Sequence, residues 1–496
     1  MTRIWIDVED LFHYAAASPR PSGIQRLSFE IQQALVQRFG TGGAVRFLRH
    51  DKVRGGFAEI AWDEVSALYR GMVSVAPRPA TPPPAAGPLR PDRPRGALRR
   101  ASDHLPTAIR DPLARAVRLQ REFLGTVAAA GRVQAASWRA LAGAVRAALR
   151  PARTGLNAPL PASAAEAFAA AVRPGDVLLV LGSPWSHHDY AGLVARTRAR
   201  HGVRFALLVY DLIPVRHPEW CDGRLVASFT AWLDGVLPVA DTLLAISEAT
   251  ARDVVRHAER AGIALRGPVT PIPIGTGFGT PPGEAPPSPG LPTPGSYALI
   301  VSTIEARKNH ALLFRVWRRL LDEMPPGRVP TLVFAGRIGW LVDDLMRQMA
   351  NTGFLDGRIV IIEDPSDAEL AALYRGCLFT LFPSFYEGWG LPVTESLAFG
   401  KPCVISRAAS LPEAGGSFAR YFDPDDLHDA VRVIRAVLDD RDGLAAWEAQ
   451  IRRDFRPTPW SASADAVVRA LAPDLLETDL LRTDLQGAAR TVSATP

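Results

Sequence analysis

The feature that most limits what this chain can fold into is a rhythm of short apolar runs, each followed by a helical stretch. In the C-terminal half the runs fall at residues 297–301, 331–334, 359–362, 378–382 and 403–406. Runs this short and apolar throughout read as strands buried on both faces, and with helices between them they build a parallel sheet. The same rhythm occupies residues 177–181, 205–209 and 243–246, with an earlier strand at 4–8. Between the two series stands Thr280-Pro281-Pro282-Gly283-Glu284-Ala285-Pro286-Pro287-Ser288-Pro289-Gly290. Its density of proline and glycine forbids both helix and sheet interior, so a linker is placed over 280–295. The expected fold class is α/β, with two doubly wound Rossmann-like lobes, 1–279 and 296–465, facing across a cleft. A length of 496 residues agrees with more than one core. The remaining tail is 466–496, and a helix within 447–472 is expected to cross back to the first lobe.

One segment breaks the rhythm. Residues 76–170 carry 15 arginines, no lysine and 5 acidic residues, a surplus of ten, against a formal charge of +6 for the whole chain. Residues 77–94 are too rich in proline for regular structure, and the Ala/Arg/Leu stretches after them read as helices with arginine on the polar side. This is read as a basic insertion in the first lobe, either a solvated linker with surface helices or a docking element for anionic lipid or a partner. The three cysteines, Cys221, Cys377 and Cys403, are scattered without metal or disulfide spacing. With no signal-peptide core and no apolar run of 18 residues, the expected location is the cytoplasm, with membrane contact at most peripheral, at the inner face of the plasma membrane.

In parallel sheets ligands bind beyond the carboxyl ends of strands, so motifs placed there carry the chemistry. After the run 378–382 comes Pro383-Ser384-Phe385-Tyr386-Glu387-Gly388-Trp389-Gly390-Leu391-Pro392-Val393-Thr394-Glu395. Proline at a first helical turn, preceded by a glycine loop, gives free backbone N–H groups suited to an anion. Glu387 in the loop and Glu395 in the first helical turn are carboxylates able to accept hydrogen bonds from sugar hydroxyls. After the run 297–301, Arg307 and Lys308 bring two cations to the sheet mouth, where they can neutralise a departing diphosphate.

The spacing Glu387 to Glu395 resembles the Glu-x7-Glu signature of retaining glycosyltransferases of the two-lobed GT-B fold, family GT4 in particular. The likeness spans most of residues 170–465. It implies that Glu395 binds the donor ribose, that Glu387 contacts donor-sugar hydroxyls, and that the amides of Gly388, Trp389, Gly390 and Leu391 hold sugar or diphosphate. Arg307-Lys308-Asn309 is similar to the family's phosphate motif, although Ser302-Thr303 stand where many relatives have glycine and arginine. Residues 335–340 resemble a glycine turn near the donor, and 363–367 a segment beside the nucleotide base. No Asp-x-Asp pair stands at a strand end, so metal independence is expected, with no cofactor beyond the nucleotide-diphosphate sugar substrate. Asp423-Pro424-Asp425-Asp426 reads as a helix cap.

In the first lobe, Pro21-Ser22-Gly23-Ile24-Gln25-Arg26 resembles the glycine loop that approaches donor or acceptor, with Gln25 replacing a second glycine. Gly23 and Arg26 are the positions that carry over. Tyr210-Asp211-Leu212-Ile213-Pro214, followed by His217-Pro218, is similar to bacterial polysaccharide mannosyl- and rhamnosyltransferases. Some relatives place a histidine where Gly182 stands, and His187, His188 or Asp211 are the substitutes. The expected activity is retaining transfer of a hexose, mannose-like or similar, to a glycan or lipid-linked acceptor in surface polysaccharide or lipopolysaccharide synthesis. The alternatives are a sugar-nucleotide epimerase or hydrolase of the same fold and a non-catalytic membrane-associated scaffold. Partners are donor, acceptor and an anionic membrane surface, with no nucleic acid.

Overall fold

A computed structural model describes residues 2–18, 20–41, 43–74, 160–277, 290–325 and 327–476. Most of the basic insertion, most of the proline-rich linker and the tail beyond residue 476 lie outside the described residues.

The first lobe is built on β1 Ile4–Asp7, β2 Val45–Asp51, β3 Gly56–Ile60, β4 Val177–Val180, β5 Arg204–Val209, β6 Thr242–Ala245 and β7 Val269–Pro271. They form one sheet in the order β3-β2-β1-β4-β5-β6-β7, parallel except where β3 pairs antiparallel with β2. The second lobe carries β8 Tyr297–Val301, β9 Thr331–Ala335, β10 Ile359–Ile362, β11 Thr380–Phe382, β12 Cys403–Ser406 and β13 Ala419–Phe422, in the order β10-β9-β8-β11-β12-β13 and parallel throughout. Each sheet reverses direction beside its first strand, at β1/β4 and at β8/β11, and such switch points open a crevice for ligand. This is the two-lobed GT-B architecture.

The central strands of the second sheet are buried on both faces, which is why β8 is apolar at every position and its neighbours nearly so. Ala298, Ile300, Leu332 and Phe334 pack into one cluster, while Tyr297, Leu299, Val333 and Ala335 pack into another on the opposite face. In the first sheet Trp5, Leu178, Val180, Phe205 and Leu207 share one cluster with Phe168. Phe168 lies on the helix Ala162–Ala171 and meets Trp5 edge to face at 5.0 Å. The end of the segment read as an insertion is therefore part of the first lobe's core, because its one aromatic side chain has a buried ring to pack against.

The stretch after β1 also differs from expectation. A helix, Glu9–Ala17, intervenes, and the next helix starts at Gly23 itself, with Ser22 as its cap accepting from the Ile24 N–H. The presumed glycine loop is thus a helix start, and Arg26 lies on its first turn. At the far end, the helix Trp460–Leu471 returns to the first lobe: Asp465 pairs with Arg38, Ser463 Oγ accepts from Gly275 N at 3.0 Å, and Arg204 donates to Leu471 O at 2.7 Å.

Candidate active site

The loop after β8 winds into a single 3-10 turn, Ala306–Lys308, and Asn309, in the left-handed region at φ 57, reverses the chain into the helix His310–Glu323. The Asn309 amide donates to Pro383 O at 3.2 Å and Pro424 O at 3.0 Å, and Phe385 N donates to Arg307 O at 3.0 Å. These bonds tie the loop after β8 to the loop after β11, which carries Glu387. Lys308 Nζ lies 2.5 Å from Glu387 Oε1, and Arg307 lies 2.8 Å from Oε2 and 2.7 Å from Glu305 Oε1. Burial would raise the Glu387 pKa, but Arg307 and Lys308 outweigh it and hold the carboxyl at about 2. For Lys308 burial wins, reinforced by Arg307, and its pKa is lowered despite the partner carboxylates. The result is two cations and two carboxylates, preformed and dehydrated, into which an anion could enter.

The glycine loop is held open by its neighbours. Ser410 Oγ donates to the carbonyls of Glu387 and Trp389, both at 2.9 Å. Gly390, at φ 115, turns the chain into the helix Leu391–Ala398, where Pro392 occupies the first turn. Among the described residues, no protein acceptor takes a hydrogen bond from the amides of Gly388, Trp389, Gly390 or Leu391, and the Trp389 indole N–H likewise has no acceptor. Such a row of free donors at a helix start is what an anion or a sugar hydroxyl requires. Glu395 is the fifth residue of this helix, one turn deeper than the first-turn place read from the sequence. It is buried, accepts from Tyr374 Oη at 2.8 Å, and burial pushes its pKa up to about 7 against that bond and Arg26. Tyr374 went unread because it is 21 positions away, on a helix with no motif of its own.

The first lobe meets this loop directly. A Cβ added at Gly388 would sit 2.3 Å from Tyr210 O and 3.2 Å from Asp211 Cβ, so only glycine permits the approach. Asp211 follows β5; burial raises its pKa and Arg307, across the cleft, opposes the rise. Gly23 faces Leu391, whose Cδ1 would lie 3.9 Å from an added Cβ. Arg26 makes a two-pronged pair with Asp367 at 2.7 and 3.1 Å, within the segment read as lying beside the base. Glu413 was missed: its carboxylate accepts from the amides of Glu248 at 2.7 Å and Ala249 at 2.8 Å, capping a helix of the other lobe, and no local pattern marks such a cap. Of the substitutes for a histidine at position 182, Asp211 stands at the site, whereas His187 packs edge-on against His50 at 5.1 Å and beside His188. Asp426 caps its helix, as read, accepting from His428 N at 2.8 Å.

Residues 283–454 match the family model "Glycosyl transferases group 1". The glycosyl transferase match contains Arg307, Lys308, Glu387, Glu395 and the glycine loop; Gly23, Arg26 and Asp211 lie outside it. Among characterised proteins, the chain is 36% identical over 146 residues to O-antigen chain mannosyltransferase B of Escherichia coli, covering 29% of this chain and 37% of that one. It is 30% identical over 248 residues to the serotype-specific mannosyltransferase WbdA of Escherichia coli, covering 46% of this chain and 29% of that one. The chain thus spans about a third of the length of these relatives. A trehalose-phosphate synthase from Burkholderia xenovorans superposes with a TM-score of 0.47 at 17% identity, over 62% of this chain and 76% of that one.

Proposed function

We propose that the chain is a retaining glycosyltransferase that moves a hexose, mannose-like, from a nucleotide-diphosphate sugar to a glycan or lipid-linked acceptor in bacterial surface polysaccharide or lipopolysaccharide synthesis. The observation that carries this reading is the Lys308–Glu387–Arg307 group at the switch point of the second sheet, beside four unengaged amides. Glu395 would take the ribose and the residues 388–391 the diphosphate and sugar. When the diphosphate enters, its oxygens compete with Glu387 for Arg307 and Lys308, and Glu387 is released toward the sugar hydroxyls. Charge growing on the leaving phosphate then meets cations that need no reorganisation. On the same face that phosphate oxygen can accept the proton of the incoming hydroxyl, with Asp211 alongside. Gly23 and Arg26 close over the donor from the first lobe. The mannosyltransferase relatives support the sugar class, and the reading places the work at the inner face of the plasma membrane, without a metal.

The test is calorimetry with GDP-mannose, UDP-glucose and UDP-N-acetylglucosamine, followed by mass spectrometry and NMR of the product's anomeric linkage. Binding of one sugar nucleotide and a product of unchanged anomeric configuration are expected. Absence of binding, or an inverted linkage, refutes the reading or its retaining step respectively.

A further inference from the structure

Asp10 takes no part in the site above. It lies on the first turn of the helix Glu9–Ala17, just beyond β1, and its carboxylate fills the crevice between the carboxyl ends of β1 and β4. A Cβ at Gly182, two residues past β4, would lie 2.1 Å from one Asp10 oxygen and 2.4 Å from the other, so the carboxylate occupies the space a side chain would need. Ser183 Oγ donates to Asp10 at 3.4 Å and accepts from Gln25 Nε2 at 3.5 Å. Gln25 in turn belongs to the helix start whose Gly23 faces Leu391. On the other side stands Tyr210, whose hydroxyl donates to Leu181 O at 2.5 Å and whose carbonyl abuts Gly388. Asp10 therefore lies at the first sheet's switch point, between Gln25, whose helix start faces Leu391, and Tyr210, whose carbonyl abuts Gly388.

The Asp10 carboxylate accepts hydrogen bonds from Ser183, Gln25 and the Leu11 N–H, all of them uncharged donors. Asp7 is fully engaged, with His50 at 2.8 Å, Tyr190 at 2.7 Å and the Glu9 N–H at 3.0 Å. No ion pair involves Asp10 among the described residues, and Asp7 repels it. Burial, then Asp7, raise its pKa to about 6. A carboxylate kept partly buried beside a like charge costs stability, and such groups concentrate where substrate is handled.

We propose that Asp10 is the acceptor-binding carboxylate of the first lobe, taking a hydrogen bond from the attacking sugar hydroxyl and aiming it at the donor held across the cleft. A carboxylate only accepts hydrogen bonds, which suits a hydroxyl donor. Glycine at 182 gives it the room. The inference rests on the glycosyltransferase reading. The experiment compares the wild type with Asp10→Asn and Gly182→Ala, using GDP-mannose as donor and methyl α-D-mannopyranoside as acceptor. Donor Kd is measured by calorimetry, and acceptor kcat and KM by product formation. Donor Kd within about twofold of wild type is expected in both variants, with acceptor kcat/KM reduced at least about tenfold. If Asp10→Asn does not fold, Gly182→Ala carries the test, because its methyl displaces the same carboxylate. Acceptor kcat/KM within about twofold of wild type, or a fall in donor affinity as large as the fall in kcat/KM, overturns the assignment. A wild type that binds neither GDP-mannose nor the two UDP-sugars overturns the parent reading and this one together.

Discussion

Glu387 and Glu395 are eight residues apart and similarly buried, yet replacing each by glutamine should move stability in opposite directions. Glu395 has an ordinary value near 4.5 when unfolded and about 7 when folded. Its folded state binds the proton more tightly, so its favourable contribution is complete below pH 4.5 and is lost as pH rises through 7. A gap of about 2.5 pH units at 1.36 kcal/mol each makes ionised Glu395 a burden of about 3 kcal/mol at pH 8, falling to a few tenths at pH 4.5. Glu395→Gln keeps an oxygen for the Tyr374 hydroxyl and removes that burden. Glu387 has the reverse displacement, from 4.5 to about 2. It contributes about 3 kcal/mol that persists above pH 4.5 and is lost only as pH falls toward 2. Glu387→Gln forfeits this and strands Lys308 and Arg307 without their main counter-charge. Urea unfolding followed by circular dichroism at pH 5 and pH 8 separates the two. Glu395→Gln should be stabilising by about 3 kcal/mol at pH 8 and by under about 1 kcal/mol at pH 5, and Glu387→Gln destabilising at both. A Glu395→Gln effect that is the same at both pH values would refute the claim that burial outweighs Tyr374 and Arg26 at this carboxyl. The stabilised variant should still bind donor at least about fivefold more weakly, the usual exchange between site chemistry and stability.

Lys308→Ala should lower turnover at least about tenfold, some 1.4 kcal/mol of transition-state stabilisation, with the circular dichroism spectrum unchanged; near-normal turnover would count against the diphosphate role. Gly388→Ala puts a methyl against the Tyr210 carbonyl and forces the lobes apart locally. Donor Kd by calorimetry should stay within about threefold while turnover falls at least about tenfold, since misplacement on the order of 1 Å is that costly.

How much of this was legible in the sequence depended on whether the cause was local. The central strands were readable because burial on both faces makes them largely apolar, and β8 matched residue for residue; β2, with its charged residues, and the edge strands β3, β7 and β13 were not read. Asp426 was readable as a cap because a cap acts on the next two or three residues. Glu395 was assigned one turn too shallow because helix starts are defined by hydrogen bonds that glycine and proline only bracket. The helix Glu9–Ala17 was missed: it lacks a side-chain cap, and its apolar positions are filled partly by alanine and polar side chains. What no local reading reached were the pairings across the cleft, Arg26 with Asp367, Glu413 with the helix beginning at Glu248, and Gly388 with Tyr210. Each joins residues more than 130 positions apart, and each partner alone is an unremarkable surface charge or turn glycine. The same reasoning explains why the proposed donor side was suggested by motifs and the proposed acceptor side was not. A diphosphate can be held by backbone amides and adjacent cations, each supplied by a short motif, whereas the acceptor hydroxyl of our proposal is met by a single side chain, Asp10, admitted by a glycine 172 positions away.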